Sequence, residues 1–342
     1  MGNRRPAGTS GRPAAVPPSV RLSLLDRSRT RLDRPETEGV TGSVERAVHA
    51  EQVGYERFWV AEHHAVPGIA SGSPPVLLAA IGARTDHIRI GSGGIMLPNH
   101  QPLVVAEQFL MLQALHPGRV DLGVGRSLGF TPPVRRALRH DVDALDTFEA
   151  DLEELRDLLD GDAAVTAHPV AASPLPMSLL ATGRGVQIAA RLGLPVVIGG
   201  PILWKDEVAT SLQAYRRDFR PSKHAPDPYV TISLDVIVAD DDATARELVL
   251  PEAWAMARSR QTGEFPPLES VASIRAQPWN AQLTKRIEAQ LDQAVAGTPH
   301  TVRTALDELA ARTGADELMT SSSTYDRTDL LASDTALRDV VG

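Results

Sequence analysis

The chain has no cysteine among its 342 residues. That excludes disulfides, thiolate nucleophiles, zinc–cysteine sites and cysteine-bound clusters, so any redox chemistry must come from a bound cofactor. Aromatic residues are scarce, 4 % of the chain, which argues against stacking platforms for nucleic-acid bases. Positive charge is also short. Thirty-five Lys and Arg face 43 Asp and Glu, a formal net charge of −8. A phosphate backbone demands a positive face, so nucleic acid is not expected as a partner. No run of about 18 apolar residues is present to span a bilayer, and a cytoplasmic protein is expected. The first 19 residues are rich in Gly, Pro, Ala and Arg and lack the apolar region of a signal, so residues 1–19 read as a flexible extension.

What is present alternates. Apolar, strand-like runs at 20–26, 55–61, 87–97, 119–125, 176–181, 194–200, 229–239 and 315–321 are each followed by a segment of helical spacing. Short runs without polar alternation suit strands buried on both faces. Eight such units predict an α/β fold, a (β/α)8 TIM barrel over 20–342, rather than an open sheet. The first strand also lacks the GxGxxG turn of a dinucleotide fold. Residues 261–298 show no clear periodicity and read as an irregular insert or lid before the last strand.

In a barrel the functional residues sit at the strand C-termini. The second run, "RFWVAEHH", ends in Glu62, His63 and His64. They can be metal ligands, an acid–base set, a cofactor wall or a plain strand-end turn. Adjacent strand residues point to opposite faces, so His63 and His64 cannot both face inward, and no metal site is expected. The third run carries Gly91, Gly93 and Gly94, where a flat ligand can approach the backbone or a tight turn can form. Asn99 and His100 follow, just before a helix begins at Pro102. Arg126 ends the fourth run and can clamp an anion or pair with Asp121 or Glu62. Thr182, Gly183, Arg184 and Gly185 open a helix after the fifth, where free backbone N–H groups make an anion site.

Long blocks carry a resemblance: "HAEQVGYERFWVAEHHAVPGIASGSPPVLLAAI", "TDHIRIGSGGIMLPNHQPLVVAEQFLMLQALHPGRVDLGVGRSLG", "ARLGLPVVIGG" and "GADELM". From about residue 21 to 335 the chain resembles the bacterial luciferase-like flavin-dependent monooxygenases, in particular the single-chain type found in actinobacterial natural-product pathways. The resemblance implies a barrel that takes reduced FMN from a separate, transiently bound NAD(P)H:flavin reductase. The flavin reacts with O2 to a C4a-peroxyflavin that oxygenates a small organic substrate, for instance a polyketide or aromatic intermediate in antibiotic biosynthesis. It also implies a homodimer. Glu62, His63 and His64 are then the catalytic candidates. Ser92, Gly93, Gly94, Asn99, His100 and Arg126 line the cofactor, and Thr182 to Gly185 hold its phosphate. Some relatives use a deazaflavin (F420) as oxidoreductases, and others are non-catalytic flavin-binding subunits; both remain alternatives. Two departures stand out. Many relatives have Gly-Ser-Ser-Gly where this chain has Ala181–Thr182–Gly183–Arg184, and Ala-His-His-Phe where it has Gly199–Gly200–Pro201–Ile202.

Overall fold

The computed structural model describes residues 20–129, 131–139 and 146–342. The expectation for residues 1–19 falls outside them. Eleven strands form: β1 (Arg21–Asp26), β2 (Arg57–Val60), β3 (Arg89–Ser92), β4 (Ile95–Met96), β5 (Val120–Gly125), β6 (Met177–Leu180), β7 (Val196–Gly199), β8 (Val230–Leu234), β9 (Val236–Val238), β10 (Val295–Gly297) and β11 (Glu317–Thr320). The helices are α1 (Thr37–Val53), α2 (Pro74–Gly82), α3 (Pro102–Leu115), α4 (Pro132–Ala137), α5 (Phe148–Asp160), α6 (Arg184–Leu192), α7 (Glu207–Asp218), α8 (Asp242–Thr262), α9 (Val271–Arg275), α10 (Ala281–Leu291), α11 (Pro299–Thr313) and α12 (Arg327–Val341).

The barrel closes. Its parallel order runs β3-β2-β1-β11-β8-β7-β6-β5, and β5 returns to β3 through Ile90↔Val120 and to β4 through Ile95↔Val124. β3 and β4 are the two halves of one barrel position, so the eight units of the sequence pattern are all there. The strand pleat sorts the side chains. Leu22, Leu24, Phe58 and Val60 face outward into the main core shared with the helices. Leu25, Trp59, Val197 and Met319 face inward and fill the barrel. At the N-terminal end the interior is ionic. Arg57 pairs with Asp121 and Glu317, Arg89 with Asp121, and Tyr229 donates to Glu317. This end is a sealed structural floor; the strand C-termini carry the open mouth.

Two expectations are corrected. The apolar run 229–239 is not one strand: β8 belongs to the barrel, whereas β9 pairs with β10 in a separate two-stranded sheet, and Asp235 stands at the break. Nor is 261–298 an irregular lid. It holds α9, α10 and β10, and Leu283, Ile287 and Leu291 project at helical spacing into a second core with Ile237, Val249, Trp254 and Ile274. Asn280 and Ser270 cap the two helices by accepting from the N–H groups of Leu283 and Ser273. Three apolar positions among many polar ones gave too faint a period to read from sequence. Among the described residues, no helix is long and apolar enough to cross a membrane.

Candidate active site at the barrel mouth

Past Val60 the chain stays anchored, with the Ala61 N–H on the Asp26 carbonyl and the His63 N–H on the Ser71 carbonyl, both at 2.9 Å. The strand itself ends at Val60, and Glu62 and His64 turn toward each other. The Glu62 side chain is fully buried. Its Oε1 contacts His64 Nε2 and His100 Nε2, each at 2.6 Å, and its Oε2 accepts from the Met96 N–H at 2.9 Å. Burial alone would raise the pKa of Glu62, but the hydrogen bonds from His100 and His64 outweigh it and lower the pKa to about 2. An ionised carboxylate only accepts, so both imidazoles donate through Nε2. That fixes their tautomers and leaves Nδ1 of each ring for other partners. His100 lies 38 positions along the chain from Glu62. The sequence named it only as a cofactor neighbour, and its place on Glu62 comes from the fold.

His63 turns the other way, toward the cationic Arg27 and Arg29. Burial lowers its pKa to about 4, and the Arg27 charge acts in the same direction. At neutral pH this imidazole is uncharged. Linkage gives the sign: the unfolded chain protonates His63 near 6.5 and the folded chain only near 4, so stability falls as pH drops across that interval, by up to about 1.4 kcal/mol per pH unit. The Glu62 contribution has a separate window. It is present above about 4.5 and is lost as pH falls toward 2. His63→Gln is expected to flatten the dependence between pH 6.5 and 4, read by denaturant unfolding at several pH values, and an unchanged slope would refute this account of His63.

Three residues that the sequence reading did not single out share the mouth. Arg27, beyond β1, bonds Asp235 Oδ1 at 3.2 Å and the Ser321 carbonyl at 2.6 Å, and Ser321 Oγ donates to Asp235 at 2.8 Å. Burial raises the pKa of Asp235 against the pull of Arg27. The signal was present: interior positions at the ends of strands seven and eight. Reading 229–239 as one strand hid it. Behind this set, buried Glu252 of α8 holds Arg27 at 3.1 Å and Arg29 at 3.0 Å. Arg29 also donates to the carbonyls of Gly68 and Pro266 and lies 4.5 Å over the Phe265 ring. With the Gly68 N–H on the Phe265 carbonyl at 2.8 Å, the loop carrying His63 and His64 is fastened to the segment expected to be a loose lid.

The remaining predicted site residues divide. Ser92 is fully buried, and its hydroxyl is taken by the Gly123 backbone, donating to the carbonyl at 2.8 Å and accepting from the N–H at 3.1 Å. It pins β3 to β5. A side chain at Gly93 would strike Leu25 and Trp59, and one at Gly94 the Gly123 carbonyl, so barrel packing by itself accounts for both glycines. Asn99 differs: both its amide atoms are buried without a hydrogen-bond partner among the described residues. Arg126 pairs with neither Asp121 nor Glu62; it is exposed and bonds Asp146. Thr182, Gly183 and Arg184 are exposed at the start of α6, where no side chain caps the helix. Gly183 has φ 54° with open space around it. The Gly185 N–H already bonds the Thr182 carbonyl at 3.1 Å, so the free donors are fewer than expected. Arg184 lies 3.4 Å from Glu149 and is mostly exposed.

The fold and site define a closed parallel (β/α)8 barrel with a buried carboxylate and two imidazoles beyond its second strand. Residues 20–317 match the luciferase-like monooxygenase family, and the chain belongs to it. A luciferase-like monooxygenase of Escherichia coli is 34 % identical over 316 residues, covering 90 % of this chain and 93 % of that one. An N-acetyl-S-alkylcysteine monooxygenase of Bacillus subtilis is 37 % identical over 209 residues, 58 % of this chain and 62 % of that one. The solved structure of apo-MsnO8 is 33 % identical and superposes with a TM-score of 0.83, covering 94 % of this chain and 97 % of that one. The fold alone is shared at 17 % identity, TM-score 0.72, with the oxygenating constituent of 3,6-diketocamphane monooxygenase from Pseudomonas putida in complex with FMN. It is likewise shared at 14 % identity, TM-score 0.67, with an F420-dependent secondary alcohol dehydrogenase.

Proposed function

We propose that this enzyme uses reduced FMN and dioxygen to place one oxygen atom on a small, largely apolar organic substrate. The observation that carries the reading is the ionised, fully buried Glu62 holding two imidazoles at the mouth of a luciferase-like barrel. The residues present fit the flavin. The unpaired Asn99 amide needs a partner, and the uncapped α6 start with the open Gly183 suits a phosphate, with Arg184 and Arg126 beside it. The exposed ion pairs of these arginines are weak and can give way to an anion. When bound, reduced flavin supplies the electrons that activate dioxygen. The chain supplies the surroundings: Leu25, Trp59, Val197 and Met319 pack the barrel interior beneath the mouth and keep water out from below, and neutral His63 adds no charge. Glu62 holds His64 and His100 so that each can pass a proton at Nδ1.

A thioether or an aromatic or polyketide intermediate is the proposed substrate class. Relatives that act on N-acetyl-S-alkylcysteine and 4-hydroxyprotoasukamycin by name support both classes. Incubation of a panel of such compounds with reduced FMN under isotopically labelled dioxygen, read by mass, tests the proposal. Gain of one labelled oxygen is expected. Turnover only with a reduced deazaflavin and without oxygen uptake would replace it.

A separate flavin reductase would deliver the cofactor, and the active form would be a homodimer. Val104, Met111 and Leu115 make one exposed stripe on α3, with Val76 of α2 beside it, exposed by 45, 56, 64 and 72 %. Met111→Lys with Leu115→Lys is expected to halve the mass seen by light scattering. An unchanged mass would place the interface elsewhere.

A further inference from the structure

We propose that Glu62, His64 and His100 form a binding site for a divalent transition-metal ion, with Zn2+ as the fitting ion. Strand alternation separates His63 from His64, which are adjacent in sequence. The fold replaces His63 with His100. One ligand atom from each of Glu62, His64 and His100 lies within 4.8 Å of the others, the one such three-ligand group among the described residues. Two imidazoles and a carboxylate are a zinc ligand set of the kind that keeps a fourth position open. The histidine side chains are 22 and 27 % exposed, so an ion and its water have a route in, while Glu62 is closed off from solvent.

The electrostatics agree. Glu62 supplies the carboxylate oxygen that such a site needs beside the two ring nitrogens. The Met96 N–H on Oε2 orients the carboxylate, as an outer hydrogen bond does in established metal sites. An imidazole ligand binds in its neutral form, with one ring proton. Binding moves it from Nε2 to Nδ1 as the lone pair on Nε2 turns to the ion, so charge and protons balance. Ligand atoms about 2.1 Å from a tetrahedral ion stand roughly 3.4 Å apart. The present 2.6 Å contacts must therefore open by somewhat under 1 Å, a small turn of two half-exposed rings. No cysteine competes for the ion anywhere in the chain. An ion held here would immobilise the side chains that the proposed oxygenation uses, so zinc would act as an inhibitor rather than as a cofactor.

The test uses full-length protein without a histidine tag, treated with chelator and free of flavin, so its outcome is independent of the oxygenase reading. Zn2+ is titrated calorimetrically, and Co2+ is followed by its visible absorption, which is intense only in a four- or five-coordinate site. One equivalent is expected to bind, and the affinity is expected to fall by at least about 100-fold in His100→Ala and in Glu62→Gln. His300→Ala, at an exposed histidine outside the cluster, is expected to bind as the parent does. Circular dichroism confirms the fold of each variant, and the isosteric Glu62→Gln keeps the test sound should His100→Ala unfold. No saturable binding, or binding that survives both substitutions, would overturn the proposal.

Discussion

His64→Ala is expected to lower product formation by about 10²- to 10⁴-fold, the range contributed by a positioned proton-transfer group, while leaving the fold nearly as stable as the parent. The expectation follows from two features. His64 receives its orientation from Glu62 at 2.6 Å, and its side chain is 22 % exposed at the mouth, so it packs little apolar area whose loss could unfold the chain. The measurement is the rate of oxygenated product under excess reduced FMN, set beside reduced-flavin consumption and a thermal melt. Flavin consumption that continues while product falls would place His64 in the transfer of oxygen rather than in flavin binding. Equal turnover in the variant would remove His64 from the mechanism, and His63→Ala run in parallel would show which ring the chemistry uses.

Arg29→Ala is expected to cost about 3–5 kcal/mol of folding stability, the usual consequence of stranding one member of a buried ion pair. Glu252 is 4 % exposed, and Arg29 is its partner at 3.0 Å. Removal also strips donors from the Gly68 and Pro266 carbonyls and takes a cation from the face of Phe265. These contacts join the loop bearing His63 and His64 to the segment after α8. Activity is therefore expected to fall with stability. Arg29→Met combined with Glu252→Gln removes the charges together and is expected to recover much of the loss. Urea unfolding measures both, and a loss under about 1 kcal/mol in Arg29→Ala would show that Arg27 alone satisfies Glu252.

The barrel was legible because its signal is repeated. Eight apolar runs, each followed by a helical period, survive errors at any one boundary. Glycines also mark helix ends in the sequence: α6 and α11 stop at Gly193 and Gly314 in left-handed turns. The strand-end logic also picked out Glu62, His63 and His64 as candidates, and the structure brings His64 onto Glu62. What the sequence hid was tertiary. Nothing local says that His100 shares Glu62 with His64, or that Glu252 reaches back from α8 to Arg27 and Arg29. Ser92 and Gly93 were read as ligand-facing because glycine-rich strand ends are ambiguous; in the structure the Ser92 hydroxyl bonds the Gly123 backbone and Gly93 lies against Leu25 and Trp59. The break at Asp235 was masked by apolar residues on both sides of it.

The proposed oxygenation requires a flavin held at the barrel mouth with its phosphate at the start of α6. Anaerobic titration of the protein with reduced FMN, followed by flavin fluorescence, tests this most directly when the parent and Arg184→Glu are compared. Arg184 is exposed enough that reversing its charge leaves the fold untouched. Saturable binding by the parent, weakened about tenfold or more by the substitution, is the predicted result. Absence of saturable binding, or equal affinity in the two proteins, would contradict it.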